Sequence, residues 1–304
     1  MGNRALRSDA RLTEARSVDY KCNLLLPGAP KSGTSSLHVA LEQHPEICMS
    51  RPKEPWFFFG DRFKGGSTQH NSLFSHSDSD SLIFGESSQG YFADAQSMKR
   101  IKESLEKPKI ILLLRDPVER ALSQYRYDFR RGVETDPLEK ALSDRGDNPA
   151  LVWDDRISFY RNVGGYCALS GYSRIVPEWQ TLFGAENILL LKAEDFHDDP
   201  AAVLARCNRF LGLRHVAHNS QADNGTVRNA TSGTKRKVMP GPIKAAARLV
   251  PSGFKSSSLY RRLRGGVLRG ITPPSPTTPS PATLQRMRET LAADIAFHQS
   301  LSHA

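Results

Sequence analysis

A short segment rich in hydroxyl groups joins a predicted strand to a predicted helix and has the residue types that bind phosphate. Gly28 and Gly33 follow the apolar residues 24–26, and a helix is predicted from Ser35 to His44. Backbone N–H groups at a helix N-terminus, together with the helix dipole, favour an anion. The residues able to contact that anion are Lys31, Ser32, Gly33, Thr34, Ser35 and Ser36. The spacing therefore predicts an anion site at this junction.

The same segment departs from the loop that binds nucleoside triphosphates, whose pattern is G-x-x-x-x-G-K-[ST]. Its glycines have the required spacing, but Thr34 stands where the lysine should be, and Lys31 precedes the second glycine. The segment thus suits a phosphate without suiting the β- and γ-phosphates of ATP. A kinase with a P-loop is the alternative, and it would need a lysine at position 34 and a metal-binding acid at a strand end.

A second strand–helix junction carries an arginine and a serine. The apolar residues 108–114 predict a strand buried on both faces. Asp116 suits the N-cap of the following helix, and Glu119 has the position of a capping-box carboxylate. Ser123 lies about 10 Å further along the helix axis. Because an arginine side chain is long and forked, Arg115 and Ser123 can converge on one phosphate.

The segments PKSGTSSL (Pro30–Leu37) and RDPVERALSQY (Arg115–Tyr125) resemble the two cofactor motifs of sulfotransferases that use 3′-phosphoadenosine 5′-phosphosulfate (PAPS). The similarity is to bacterial members and to the heparan sulfate N- and O-sulfotransferase branch. It implies an α/β fold with a central parallel sheet flanked by helices and a P-loop-like first crossover. It also implies that residues 31–36 hold the 5′-phosphosulfate, and that Arg115 and Ser123 hold the 3′-phosphate.

A third segment, Arg51–Phe58, resembles the part of the family in which a glutamate precedes a pair of aromatic residues. The resemblance implies that Glu54 is the general base, which takes the acceptor proton during in-line displacement at sulfur. It also implies that Lys31 neutralises charge on the bridging oxygen and that the reaction needs no metal. An ion pair of Glu54 with a neighbouring cation is the alternative. His70 and His76 are weaker candidates for the base.

Two further positions bear on the resemblance. Relatives commonly have Glu-Lys-Ser after the next strand, predicted at residues 81–86, whereas this chain has Ser87 in place of the lysine. The missing charge could come from Lys31 alone or from Lys53. Lys235, Arg236 and Lys237 loosely resemble a basic loop that folds over the adenosine bisphosphate. A solvated run of charges is the alternative for those three residues.

The chain length and composition predict one domain. Of the 304 residues, 1–20 read as a polar tail and 21–304 as a single sulfotransferase domain. Residues 65–81 are rich in Ser, Asp and His and predict a loop. A Pro-rich linker covers residues 272–281, and a helix capped by Ser280 is predicted over 281–302.

Net charge and cysteine usage narrow the partners. The formal net charge of +10 suits an anionic cofactor and an anionic acceptor. Nucleic acid is disfavoured because the basic residues are interleaved with acids and lack aromatic neighbours. A non-catalytic module that binds polyanions would explain the charge but not Glu54. The four cysteines are scattered, which favours reduced thiols over a metal site.

Location and acceptor are the remaining expectations. Apolar runs are far too short for a membrane span, and the N-terminal residues lack a signal-peptide core. We therefore expect a cytoplasmic, bacterial enzyme. The heparan-like motifs favour a carbohydrate hydroxyl, in a glycan or glycolipid, as the acceptor; a phenol or natural-product alcohol is the second choice. The sequence does not predict the oligomeric state.

Overall fold

The computed structural model describes residues 20–130, 133–143, 151–154, 159–162, 165–214 and 278–301. The strands are β1 (Leu24–Gly28), β2 (Ile47–Met49), β3 (Ile83–Glu86), β4 (Lys109–Leu114), β5 (Leu151–Asp154), β6 (Phe159–Asn162) and β7 (Ile188–Lys192). The helices are α1 (Thr34–Leu41), α2 (Ser67–Asn71), α3 (Ala95–Ser104), α4 (Pro117–Arg130), α5 (Leu138–Ser143), α6 (Tyr172–Phe183), α7 (Ala193–Asp198), α8 (Pro200–Leu211), α9 (Pro281–Thr290) and α10 (Ala292–Ser300).

The central sheet is parallel and has the strand order β2-β3-β1-β4-β7. Strands β5 and β6 form a separate antiparallel pair. Because the strands of the central sheet all run the same way, their carboxyl ends lie along one edge. The segments that follow β1, β2, β3 and β4 therefore meet at this edge, which is where open α/β sheets bind ligands. The predicted fold class is confirmed.

Both faces of the sheet are covered, so the strands at its centre are continuous apolar runs. In β1, Leu25 faces one core cluster, which includes residues of α3 and α6. Leu24 and Leu26 face the opposite cluster, which includes residues of α1 and α8. A third cluster packs α4 against α5 and α9.

The predicted helix over 35–44 is shorter in the structure, where α1 ends at Leu41. Pro45 disfavours helical backbone at His44, and the chain must turn there to enter β2. The predicted C-terminal helix is divided into α9 and α10 at Leu291, whose φ is −102°. Its predicted cap is confirmed, because the Thr283 N–H donates to Ser280 Oγ at 3.2 Å.

The prediction of a loop over residues 65–81 is wrong in part. The segment contains α2 and a 3-10 turn, Ser72–Phe74. His70 and Phe74 are both 0% exposed, and they pack into the core from this segment. The polar composition concealed these two inward-facing residues. Residues 1–19, 215–277 and 302–304 lie outside the described residues, and with them Lys235, Arg236 and Lys237, so those predictions stay predictions.

Candidate active site

The segment between β1 and α1 is fixed to the sheet and presents unpaired polar groups. The Ala29 N–H donates to the Leu113 carbonyl oxygen of β4 at 2.8 Å. Gly33, with φ of +95°, begins α1, and no side chain caps the helix. Thr34 Oγ1 is buried without a hydrogen-bond partner among the described residues, and Ser32 Oγ is buried beside the Tyr172 hydroxyl. Uncapped amides and buried hydroxyl groups without partners are what a phosphate group would satisfy.

Lys31 lies at the centre of the site. Its backbone has φ of +70°, and its ammonium group lies 3.8 Å from the centroid of the Tyr127 ring on α4. Burial lowers the pKa of Lys31 from 10.5 to about 8. The π-face of the tyrosine compensates part of the lost hydration. The cation is therefore held between the first motif and the helix of the second.

The charges that act on Lys31 come from all three predicted segments. Asp128 and Glu54 favour its protonated form, while Arg130 and Arg115 oppose it. The segments that carry Lys31, Glu54 and Arg115 follow β1, β2 and β4, whose carboxyl ends share one edge of the sheet. These three residues, predicted from separate parts of the chain, thus lie along the same edge.

Arg115 and Ser123 have the predicted relation to β4 and α4. Arg115 directly follows β4, and its backbone oxygen accepts from the Tyr172 hydroxyl at 2.9 Å. Its guanidinium contacts Glu119 Oε2 at 3.4 Å and stays partly exposed. Ser123 lies four residues before Tyr127, so both side chains occupy the same face of α4. That face is the one that meets Lys31.

Of the two hydrogen bonds of the predicted capping box at the start of α4, the structure has one. The Glu119 N–H donates to Asp116 Oδ1 at 2.9 Å, as an N-cap should. The Asp116 N–H, however, donates to Glu194 Oε1 at 2.9 Å rather than to Glu119. Glu194 lies in the first turn of α7, which follows the neighbouring strand β7. Glu194, a residue distant in sequence, thus binds the amide that a capping box would bind, and the Glu119 carboxylate pairs with Arg115 instead.

Glu54 lies at the same edge, after β2. Its Oε1 accepts hydrogen bonds from Lys53 Nζ at 2.5 Å and from Gln89 Nε2 at 2.8 Å. Its side chain is 26% exposed, so a second molecule can reach it. The ion pair considered from the sequence therefore exists with Lys53, whereas Arg51 pairs with Glu42. The pair leaves Glu54 within the electrostatic reach of Lys31.

The position of the missing family lysine holds a serine bonded to a histidine. His38 Nδ1 lies 2.8 Å from Ser87 Oγ, and both residues are buried. Burial, and then the charge of Lys53, lower the pKa of His38 to about 4, so the ring is neutral at pH 7. Sequence reasoning missed His38. The available signal was its spacing of four residues from Thr34, which puts both on one face of α1.

A buried carboxylate was also missed. Asp128 is 1% exposed, and its two oxygens accept from Gln124 Nε2 at 3.1 and 3.2 Å. Burial raises the pKa of Asp128 to about 6, against the lowering effects of Gln124 and Lys31. The signal in the sequence was its position five residues beyond Ser123, on the helix of the second motif.

The two histidines considered as bases are bonded to other side chains. His70 is 0% exposed, its Nε2 is 2.8 Å from Glu86 Oε2, and its ring packs against Phe57 and Phe58. His76 Nε2 is 3.5 Å from Cys48 Sγ, beside β2.

No helix in the described ranges combines the length and the apolar character that crossing a bilayer requires. This result concerns those helices only.

Comparison with known proteins agrees with this geometry. Residues 22–233 match the family model of the sulfotransferase domain. Mouse bifunctional heparan sulfate N-deacetylase/N-sulfotransferase 1 is 27% identical over 208 residues, which cover 66% of this chain and 23% of that protein. Membrane-associated sulfotransferase kil1 of Dictyostelium discoideum is 35% identical over 267 residues, covering 64% of this chain and 56% of that protein. The chain thus spans about a quarter of the length of the mouse relative.

A crystal structure of a sulfotransferase from Alicyclobacillus acidocaldarius has the same fold. It superimposes with a TM-score of 0.55 and 29% identity, over 68% of this chain and 88% of that one. The family model covers well over half of the chain, including both motifs and Glu54. The resemblance read from the two motifs is confirmed, and the chain belongs to the sulfotransferase family.

Proposed function

We propose that this protein is a PAPS-dependent sulfotransferase that acts on an acceptor hydroxyl group. The observation that carries the proposal is that Lys31, Glu54 and Arg115 follow three strands whose carboxyl ends share one edge of the sheet, with Lys31 Nζ 3.8 Å from the ring of Tyr127 on the helix after Arg115. PAPS, when bound, supplies the sulfuryl group, with adenosine 3′,5′-bisphosphate as the leaving group. A cation, a carboxylate and an arginine at one anion site are the groups that such a transfer uses.

The residues present fit this cofactor. Uncapped amides at the start of α1, the unpaired hydroxyl of Thr34 and the buried hydroxyl of Ser32 support a phosphate at the first segment. Arg115 and Ser123, on the adjoining strand end and helix, would hold the 3′-phosphate. The residues assigned to the 5′-phosphosulfate are Lys31, Ser32, Gly33, Thr34, Ser35 and Ser36.

Glu54 is assigned the proton transfer. Its Oε1 receives hydrogen bonds from Lys53 and Gln89, which orient the carboxylate. It takes the proton of the acceptor hydroxyl as the oxygen becomes a nucleophile. Lys31 stabilises the negative charge that develops on the leaving side. Orientation by fixed neighbours reduces the entropy that the reaction would otherwise lose.

Lys53 is assigned the charge that the family lysine supplies in relatives. Ser87 occupies that position and bonds to His38, which is neutral at pH 7. The charge of Lys53 contributes to lowering the pKa of His38, and its ammonium group contacts the Glu54 carboxylate directly. These contacts support Lys53 as the source of the positive charge lost at Ser87.

A carbohydrate hydroxyl, in a glycan or glycolipid, is the proposed acceptor. The name of the mouse relative refers to heparan sulfate and to N-sulfotransferase, so it supports a glycan acceptor, while the choice of a hydroxyl group rests on the sequence motifs. The net charge of +10 would assist an acidic glycan. A phenol or natural-product alcohol is the second choice, and labelled PAPS tested against both classes would distinguish them. The cytoplasmic location stays a prediction.

The substitution Glu54→Gln tests the function. It preserves the size of the side chain but removes its ability to accept a proton. Sulfuryl transfer should fall on the order of 10²- to 10⁴-fold, while the affinity for adenosine 3′,5′-bisphosphate in calorimetry stays near that of the wild type. The control is Glu42→Gln. It changes a carboxylate that pairs with Arg51, and it should leave turnover unchanged. Near-normal turnover of Glu54→Gln at saturating acceptor would show that another group is the base.

A further inference from the structure

A buried polar network lies beneath the segment that carries Glu54. It consists of Glu86, His70, Ser88 and Tyr91, all 0% exposed. Glu86 Oε1 accepts from Ser88 Oγ at 2.7 Å and from Tyr91 Oη at 2.6 Å, while Oε2 accepts from His70 Nε2 at 2.8 Å. Burying a carboxylate is costly unless its hydrogen bonds are made. The three donors satisfy Glu86 but do not by themselves explain why a carboxylate is there.

The network ends on the backbone next to Glu54. The Trp56 N–H donates to Ser88 Oγ at 3.0 Å, and the Phe58 N–H donates to Tyr91 Oη at 3.1 Å. Each hydroxyl group therefore accepts from a backbone amide and donates to Glu86. A carboxylate acceptor strengthens both chains of hydrogen bonds, because charge-assisted bonds are stronger and polarise their neighbours.

The backbone held in this way is strained. Glu54 and Trp56 have φ values of 59° and 56°, a region that residues other than glycine rarely adopt. Such conformations persist only where the surroundings over-determine them. The bonds from the network to Trp56 and Phe58 supply that constraint immediately after Glu54.

The same turn also contacts the carboxylate of Glu54. Gln89, between Ser88 and Gly90, donates from Nε2 to Glu54 Oε1 at 2.8 Å. The 3-10 turn Gln89–Tyr91 follows β3. Together with Ser88 it thus holds the segment after β2 at two places, the backbone amides of Trp56 and Phe58 and the side chain of Glu54. Both attachments depend on the position of this turn, and Glu86 anchors it through Ser88 and Tyr91.

We propose that Glu86 is a positioning residue, which acts on the reaction by fixing the backbone and orientation of Glu54. This inference rests on the proposed function of Glu54 as the base. Glu86→Gln replaces one acceptor oxygen by an NH₂ donor, so either His70 at Oε2 or both Ser88 and Tyr91 at Oε1 lose their acceptor. Since misplacement by about 1 Å can reduce a rate by 10²-fold, kcat should fall about 10- to 100-fold. Affinity for adenosine 3′,5′-bisphosphate should change less than threefold, because its proposed contacts lie on other segments.

A double-mutant cycle separates positioning from a general loss of structure. We expect Glu86→Gln to lower kcat in the wild-type enzyme and to have little further effect in the Glu54→Gln enzyme, because it acts through Glu54. An equal loss of kcat in both backgrounds would overturn the proposal. Tyr91→Phe, which removes a single hydroxyl, provides the same test if Glu86→Gln does not fold. The control is Asp294→Asn, which changes a buried carboxylate bonded to Ser173 instead of this network.

Two other results bear on the assignment. If Glu54→Gln alone keeps near-normal turnover, the proposed base is wrong, which is a failure distinct from that of Glu86. Cys22 Sγ also lies near this network, with its ligand atom and those of His70 and Glu86 within 4.8 Å of one another. A stoichiometric metal ion in the purified protein, lost in Glu86→Gln, would overturn the positioning role. Metal analysis without a bound ion, together with the expected cycle, supports it.

Discussion

Lys31 shows how one side chain can be charged enough to bind an anion and yet remain poised to lose its proton. Burial removes hydration from the ammonium group, and the ring of Tyr127 at 3.8 Å returns part of that energy. Asp128 and Glu54 favour the charge, whereas Arg130 and Arg115 oppose it. The balance lowers the pKa of Lys31 to about 8 in the absence of an anionic ligand.

The first prediction concerns the pH dependence of cofactor binding. Because the pKa of Lys31 is about 8, affinity for adenosine 3′,5′-bisphosphate should decrease as the pH rises through that value. Calorimetry at a series of pH values measures the decrease. Lys31→Arg keeps its charge throughout this range, so its affinity should be nearly independent of pH there. The same decrease in Lys31→Arg would contradict the assignment.

The loss of affinity at high pH would not arise because deprotonation of Lys31 unfolds the protein. Its pKa in the folded protein lies below the ordinary value of 10.5. Between about pH 8 and 10.5 the unfolded chain therefore binds more protons than the folded one at this residue. The free energy of unfolding then rises with pH from this contribution. Weaker binding in that range would reflect the lost charge.

At the scale of elements, the turn after β3 and the segment after β2 must fit closely. A Cβ atom added to Gly90 would collide with the ring of Trp56. Trp56 is also the residue whose amide donates to Ser88, two positions after Glu54. The absence of a side chain at position 90 is thus a requirement of packing between these two segments.

The second prediction follows from this contact. Gly90→Ala should displace Trp56 and lower the free energy of unfolding by about 1–3 kcal/mol, the usual cost of overpacking. Turnover should fall as well, because the backbone of Glu54 moves with Trp56. Thermal or urea denaturation measures the stability. Adding Trp56→Phe, which shortens the ring system, should recover part of it. Wild-type stability of Gly90→Ala would show that the fit is looser than the structure indicates.

Several elements could be predicted from the sequence because one local property determines them. A continuous apolar run predicted β4, and Asp116 and Ser280 predicted the starts of α4 and α9. β2 has only three residues, Ile47–Met49, and is too short to show a periodic pattern of apolar residues in the sequence. The helix α2 was missed because only one of its residues, His70, is buried.

The site divides in the same way. Residues 31–36, Arg115 and Ser123 lie in local motifs, so their elements and their common edge could be predicted. Asp128 and His38 gain their chemistry from burial and from neighbours distant in sequence. Gln89 contacts Glu54 only because β2 and β3 are adjacent in the sheet. No local pattern encodes such contacts.

At the scale of the whole molecule, the C-terminal helices are connected to the second motif. Asp294 of α10 accepts from the backbone and the hydroxyl of Ser173 on α6. His298 lies 3.3 Å from Glu194. Burial tends to raise the pKa of Glu194, but His298 and the Asp116 N–H outweigh it and lower the pKa to about 2. The helix α10 thus contacts Glu194, which in turn accepts from the amide of Asp116, the residue that follows Arg115.

The last prediction concerns which nucleotide stabilises the folded protein. Arg115 and Ser123 are assigned to a 3′-phosphate, which AMP lacks. Adenosine 3′,5′-bisphosphate should therefore bind more tightly than AMP and raise the melting temperature more, since a ligand stabilises the state it binds. A charge-assisted hydrogen bond contributes about 1.5–3 kcal/mol. Arg115→Ala should then weaken the bisphosphate at least about tenfold and barely change AMP.

The design isolates the 3′-phosphate from the general positive charge of the protein. Arg174→Ala removes an equal charge from α6, where Arg174 pairs with Glu178 at 3.0 Å. Loss of general attraction would weaken each nucleotide to a similar extent in the two variants, and added salt would reduce that effect. Loss of a specific contact affects only the bisphosphate, and only in Arg115→Ala. Equal affinity of the wild-type protein for AMP and the bisphosphate would refute the assignment of Arg115 and Ser123, because no group on the protein would then distinguish the 3′-phosphate.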